Sequence, residues 1–277
     1  AFRLAEELSM PVMVCVDGFI LTHAVERIDI PEQAQVDGYL PPYDPVQVLD
    51  PADPISLGAM VGPEAFTEVK FLAHYKQTTA LRLIPKLAGE FRSRFDRDSG
   101  GLIRSYRTTD AEVIVIAMGS VCGTIKDTID EMRDEGFAIG LVTIVSYRPF
   151  PSAALRNALA GAKDLVVVEK SIAVGMGGPL AIDVDEALRN LPHAPTLHSA
   201  VAGLGGRPIL KSSLHRLFRQ AIVQPWDGTH FLDLNERIVG REIHRTGKRR
   251  RSGPTAENIL KQLADETPGA RDGRAAR

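Results

Sequence analysis

Three groups of residues have types and spacings that could do chemistry. Asp17, Thr22 and His23 lie close together in DGFILTH, directly after the apolar run PVMVCV. Asp17 and His23 could act as an acid–base pair, but turn formation and helix capping are the preferred roles for such residues beside a glycine. In the second group, VIVIAMGSVCGTIKD, Gly119 and Ser120 join an apolar segment to a helical one. A strand–glycine–helix turn of this kind can seat an anion on the helix N-terminus. The third group comprises AVGMGGPL, with Gly175, Gly177 and Gly178, and VAGLGGRPI, with Gly205, Gly206 and Arg207. Both stretches either offer backbone amides to an anion or let two chain segments approach closely, and for VAGLGGRPI a tight corner or a subunit contact is preferred.

Nucleotide fingerprints are absent from these turns. A dinucleotide site needs G-x-G-x-x-G at the strand-to-helix turn and an acidic residue ending the next strand. Here the turn runs Gly119-Ser120-Val121-Cys122-Gly123, and the next strand ends in Ser146-Tyr147-Arg148. No lysine followed by serine or threonine closes the turn either, so a P-loop is excluded. Glycine for the bend and Ser120 as helix cap is the preferred structural reading. The chain's 7 histidines show no metal-ligand spacing and its 2 cysteines form no Cys-x-x-Cys, so no metal site is expected in this chain. No Gly-x-Ser-x-Gly elbow anchors a hydrolase triad.

Composition narrows the class further. With 44% hydrophobic residues in 277, the chain can bury a sizeable core. Lys plus Arg (33) and Asp plus Glu (35) nearly cancel to a net charge of −2, which argues against a general nucleic-acid binder. The basic run at Lys248 to Arg251 has no aromatic company and reads as a solvated charge cluster. No apolar run is long enough to span a bilayer and no signal-peptide pattern is visible, so neither a membrane nor nucleic acid is an expected partner, and the cytoplasm is the expected location. Cys15 and Cys122 are expected to be buried thiols, too few for a disulfide framework or a four-cysteine iron–sulfur cluster.

The elements that must position these residues follow from periodicity. AFRLAEELSM reads as an amphipathic helix already under way at Ala1, so the chain is expected to begin inside a domain. PVMVCVDGF is expected to be a buried strand ending in a turn. Residues 36–109 form a proline-rich connection followed by a charged helix from Glu68 to about Phe95. Strands are expected at Val113–Met118, Ala138–Val145, Leu165–Glu169 and Leu197–Ala202, alternating with four helices. The first helix carries Val121, Ile125, Ile129 and Met132 inward and closes at Gly136. The second starts at Ser152 with Leu155 and Leu159 inward, and the third at Pro179 with Leu180, Val184, Ala187 and Leu191. The fourth opens at Ser212 or Ser213 with Leu214, Leu217, Phe218 and Ala221 inward. The fold class is α/β, with a mostly parallel sheet between two helical layers over residues 110–223. Beyond it, FLDLNERIV could add one short element, and the extension 224–277 is expected to lack order after about residue 245.

Five segments in one order go further. AEELSMPVMVCVDGFILTH, AEVIVIAMGSVCGTIKDTIDEMRDEG, GLVTIVSYRPFP, LVVVEKSIAVGMGGPL and VAGLGGRPI together resemble the α-chain region of pyruvate:ferredoxin oxidoreductase and related 2-oxoacid:ferredoxin oxidoreductases, over about residues 1 to 240. Two positions depart from the family pattern. Glu169-Lys170 stands where aspartate–arginine is usual, and Asp96 stands where glycine is common before an arginine.

The resemblance implies that residues 1–35 are the last helix and strand of a pyrimidine-binding thiamine-diphosphate domain. It implies that 110–223 is a core domain similar to the C-terminal domain of transketolases, used chiefly for packing and subunit assembly. Asp17, Thr22 and His23 are then the part nearest the cofactor. The implied catalytic glutamate and the substrate-holding threonine and arginine precede DGFILTH in the family and are absent here, so no catalytic residue is assigned to this chain. Thiamine diphosphate and Mg2+ are implied to sit mainly in a missing segment and a partner subunit, with iron–sulfur clusters in another. Coenzyme A is the implied co-substrate. The implied partners are thiamine-diphosphate-binding β, γ and ferredoxin-like δ subunits, with ferredoxin as electron acceptor. The expected function is oxidative decarboxylation of a 2-oxoacid to acyl-CoA and CO2. A non-catalytic assembly module of transketolase C-terminal-like fold is the alternative, and a nucleotide-dependent oxidoreductase is disfavoured by the absent fingerprints.

Overall fold

The computed structural model describes residues 1–54, 56–58, 60–189, 191–246 and 255–266, which fall into two compact units, Ala1–Leu232 and Asp233–Arg277. Apolar runs at the centre of the first unit become a sheet. β1 (Ile103–Tyr106), β2 (Val113–Ala117), β3 (Ile139–Ile144), β4 (Asp164–Glu169), β5 (Thr196–Val201) and β6 (Thr229–Phe231) lie in the order β1-β3-β2-β4-β5-β6. Every pairing is parallel except β1 with β3. All residues of β2 are buried because both faces are covered. Alternation then sorts the side chains. Val113, Val115 and Ala117 join α5 (Val121–Asp134) and α8 (Lys211–Val223) in one core, while Ile114 and Ile116 join α6 (Ser152–Ala158) and α7 (Pro179–Leu188) in the other.

The helical stripes read from the sequence face these cores. Val121, Ile125, Ile129 and Met132 of α5 are buried, as are Leu155 and Leu159 beside α6 and Leu214, Leu217, Phe218 and Ala221 of α8. In α7, Leu180, Val184 and Ala187 are buried and Leu191 packs at the margin. Gly136 takes a left-handed φ of 92° beyond the end of α5. Helix α8 starts at Lys211, ahead of the two serines, with no side-chain cap, and Ser213 is buried within it.

Ahead of the sheet, α1 (Phe2–Leu8), α2 (Ile20–His23) and α3 (Gln33–Tyr39) precede the long α4 (Phe66–Phe95). Tyr39 stacks edge-on against Phe91 and Phe95, with ring centroids 5.6 and 5.5 Å away, and its hydroxyl donates to the Leu87 carbonyl. Thus α3 is fastened to the last turns of α4. Asp96 closes α4 in the left-handed conformation, φ 52°. That geometry explains why glycine suits this position, since only glycine adopts it without steric cost.

Three expectations from the sequence are corrected. The run from Pro11 to Val16 forms no strand; Met13 is 85% and Val16 77% exposed. A strand needs a hydrogen-bonded neighbour, and none of the described strands pairs with this segment. Cys15 is exposed with it, while Cys122 is buried in the first turn of α5. β1 is a short strand that the sequence reading had merged into the connection, and its polar composition, IRSY, hides it.

The second unit contains α9 (Glu236–Thr246) and α10 (Thr255–Glu266). Within it, Glu242 accepts from Arg245 at 3.2 Å and from Gln262 at 2.9 Å. Helix α10 replaces part of the extension expected to lack order. The basic run at 248–251 and the tail from 267 lie outside the described residues.

Candidate functional site

The parallel strands β2, β4 and β5 end side by side, and the turns that follow β2 and β4 meet Asp17. After β2, Gly119 turns the chain at φ 73° and Ser120 leads into α5. The Ser120 N–H donates to Asp17 Oδ2 at 2.6 Å, across 103 residues of chain. A β-carbon on Gly119 would stand 2.9 Å from the same carboxylate oxygen, so glycine gives both the backbone angle and the space. Lys170, just past β4, lies 3.4 Å from Asp17 Oδ1 and 3.4 Å from Ser120 Oγ. After β5, Gly203 turns the chain at φ 72°, where a β-carbon would stand 2.9 Å from Ile209 Cδ1. Hydrogen bonds from the Ser120 side chain and backbone, with Lys170's charge behind them, outweigh burial and hold the Asp17 carboxyl below the ordinary aspartate range.

Ser120 is therefore not the cap expected of it. Its own φ and ψ are helical and its hydroxyl makes no cap hydrogen bond. The α5 N-terminus is capped from a distance by Asp17, whose negative charge also suits the positive end of the helix.

The same solution recurs one strand away. Glu169, the last residue of β4, is only 6% exposed. It accepts from the N–H groups of Leu180 at 2.9 Å and Ala181 at 3.0 Å, in the first turn of α7. Burial pushes its carboxyl up, and the two N–H donors work against that rise. Gly178 makes the approach feasible, since a β-carbon there would sit 1.9 Å from Glu169 Oε1. Pro179 opens the helix where no donor is needed. Gly175 and Gly177, at φ 86° and 119°, turn the chain so that the Ala173 N–H donates to the Gly177 carbonyl at 2.8 Å. Close approach calls for glycine at Gly177 and Gly178, whereas at Gly175 only the backbone angle does.

The other candidates stand apart. Thr22 Oγ1 and His23 Nδ1 both donate to the Phe19 carbonyl, at 3.2 and 2.6 Å, and no hydrogen bond joins His23 to Asp17. Gly205 and Gly206, at φ 65° and 82°, lie in a single 3-10 turn followed by exposed Arg207. A groove of about 670 Å3 runs beside α7, with Asp185, Arg189 and Thr229 along it and Ser199 Oγ buried in it without a hydrogen-bond partner. Of the glycine candidates, Gly177 and Gly178 line it. Lys170 and Glu169 were missed as site residues. An acidic residue ending a buried strand just before a Gly-Gly-Pro helix start was the available signal for Glu169.

These donors do not fit a diphosphate with its metal ion. The N-termini of α5 and α7, which follow the glycine turns, each already hold a carboxylate of the chain. Among the described residues no group of three or more His, Cys, Asp and Glu could hold a metal ion. Two separated cysteines, one exposed and one buried, do not supply the thiolates of an iron–sulfur cluster. Nor is any described helix long and apolar enough to cross a membrane.

Comparison with known proteins agrees with the order of these segments. A family model described as "Pyruvate:ferredoxin oxidoreductase core domain II" matches residues 111–213, and one described as "Pyruvate flavodoxin/ferredoxin oxidoreductase, thiamine diP-bdg" matches residues 1–85. The pyruvate synthase subunit PorA of Methanothermobacter thermautotrophicus is 37% identical over 79% of this chain and 57% of its own length. The PorA subunit of Pyrococcus horikoshii is 39% identical over 80% of this chain and 56% of its own. The ketoisovalerate oxidoreductase subunit VorA of the same organism is 32% identical over 75% of this chain and 53% of its own. The chain thus spans about half the length of the curated relatives it matches. With both family models covering more than half of its residues between them, the chain belongs to the 2-oxoacid:ferredoxin oxidoreductase family.

Proposed function

We propose that this chain is an α-subunit component of a 2-oxoacid:ferredoxin oxidoreductase and serves mainly as its structural and subunit-interface part. The reaction is thiamine-diphosphate-dependent conversion of a 2-oxoacid and coenzyme A to acyl-CoA and CO2, with electrons passed to ferredoxin. The observation that carries this reading is the ordered match of both family models along one chain. The self-filled helix ends support the division of labour: with Asp17 on α5 and Glu169 on α7, the diphosphate and Mg2+ are held by other segments and the thiamine-diphosphate-binding β subunit. The iron–sulfur clusters belong to a ferredoxin-like partner. When bound, thiamine diphosphate supplies the electron sink for decarboxylation. This chain's share is to hold its N-terminal segment against a rigid α/β core and present surfaces to the γ and other subunits.

Pyruvate and branched 2-oxoacids are both within the reading, because the relatives include subunits of pyruvate synthase and of ketoisovalerate oxidoreductase. The complex works in the cytoplasm, where an exposed thiol such as Cys15 stays reduced. The test is reconstitution with partner subunits, followed by 2-oxoacid- and coenzyme-A-dependent reduction of a viologen dye. The chain alone should give no reduction and the complex should. A complex that oxidises no 2-oxoacid overturns the proposal. Activity that persists when this chain is omitted favours a non-catalytic assembly module.

A further inference from the structure

The sheet order places a crevice where ligands commonly sit in such folds. From β2 the chain crosses to β3 on one side, and from β3 it returns past β2 to β4 on the other. The carboxyl ends of β2 and β4 therefore flank the topological switch point of the sheet. The two turns there are Gly119-Ser120 and Lys170, and the group between them is the carboxylate of Asp17. That residue comes from the exposed segment after α1, which otherwise has no strand partner.

We propose that Asp17 is a positioning residue: its carboxylate docks in the switch-point crevice and fixes the N-terminal segment to the α/β core through Ser120 and Lys170. Three observations converge on it. The Ser120 N–H is directed at Asp17 Oδ2 at 2.6 Å. Lys170 lies 3.4 Å from Asp17 Oδ1, bridging the carboxylate to Ser120 Oγ. Gly119 leaves room that any side chain would take from the carboxylate, 2.9 Å from a hypothetical β-carbon. A charged acceptor on a helix N-terminus is among the stronger hydrogen-bonded arrangements. The proposal rests on the family reading only in assigning the docked segment to the thiamine-type region; the docking itself is a property of this chain.

The test is amide hydrogen exchange on the intact protein. Asp17→Ala should speed exchange at Ser120 by roughly tenfold, the scale of losing a charged helix cap. The central strands β2, β4 and β5 should keep their protection. Added acetate should slow Ser120 exchange again by refilling the vacated position, a rescue that general destabilisation would not give. Lys170→Gln, an exposed and milder change, should move the Ser120 amide in the same direction by a smaller factor. Unchanged exchange at Ser120 in both variants, or acceleration spread evenly over the sheet without acetate rescue, overturns the proposal. If Asp17→Ala does not fold, the Lys170→Gln pattern decides alone. None of these readouts requires 2-oxoacid oxidation, so failure of the enzymatic reading and failure of the anchor are seen separately.

Discussion

Charge and exposure at individual residues set measurable limits. Asp17 has its carboxyl held below the ordinary 3.8, so its ionised form is favoured in the folded chain. The stabilisation it gives is complete above 3.8 and is lost as pH falls through the lowered folded value. The Ser120 amide resonance should therefore shift with a midpoint below 3.8, and Lys170→Gln should raise that midpoint; a midpoint at or above 3.8 in the unaltered protein would contradict the arrangement. Cysteine accessibility gives a second check. Burial pushes the Cys122 thiol up and shields it, whereas Cys15 is exposed. A disulfide reagent should titrate one thiol in the native protein and the second only after denaturant is added.

At the scale of elements, helix ends show where particular residues matter. Asp96 spends conformational energy on a left-handed φ of 52°, so Asp96→Gly should stabilise the chain by about 0.5–1 kcal/mol, read from the denaturant midpoint. Gly178→Ala should act in the opposite sense. Its β-carbon would expel Glu169 and leave two buried N–H groups without an acceptor, costing about 2 kcal/mol or more. In a Glu169→Ala background the same change should cost much less, because the displaced group is already gone. The strands β2 to β5 were legible as unbroken buried runs, and the stripes of α5 to α8 as helical periodicity. β1 was not, since IRSY is half polar and pairs only at the sheet edge. The Pro11–Val16 run misled for the reverse reason: its residues suit a strand, but strandness depends on neighbours that a local pattern does not supply. Helix α10 was obscured by the basic and glycine-rich stretches on either side of TAENILKQLADE. The site was half legible. Asp17, Gly119 and Ser120 stood out separately, yet nothing in a local pattern joins residues 103 positions apart.

At the scale of the molecule, the core is self-sufficient and the N-terminal segment is not. The buried residues of both hydrophobic clusters lie within residues 111–221, around a sheet with helices on both faces. Removing residues 233–277 should leave the first unit with a cooperative unfolding transition and little change in its helical circular dichroism per residue. Loss of the transition would mean that the second unit is needed for folding. The Asp17 contact has a consequence in time as well as in space. Its partner Lys170 lies 153 residues downstream. At a synthesis rate of about 5–20 residues per second, the apolar segment around Asp17 leaves the ribosome roughly 8–30 seconds before its dock exists. Once docked, Met13, Val14 and Val16 stay exposed, so the contact anchors the segment without burying it. A nascent chain stalled before β4 should therefore be cut more readily by protease within residues 10–18 than the completed chain, in which Asp17 holds the segment in place.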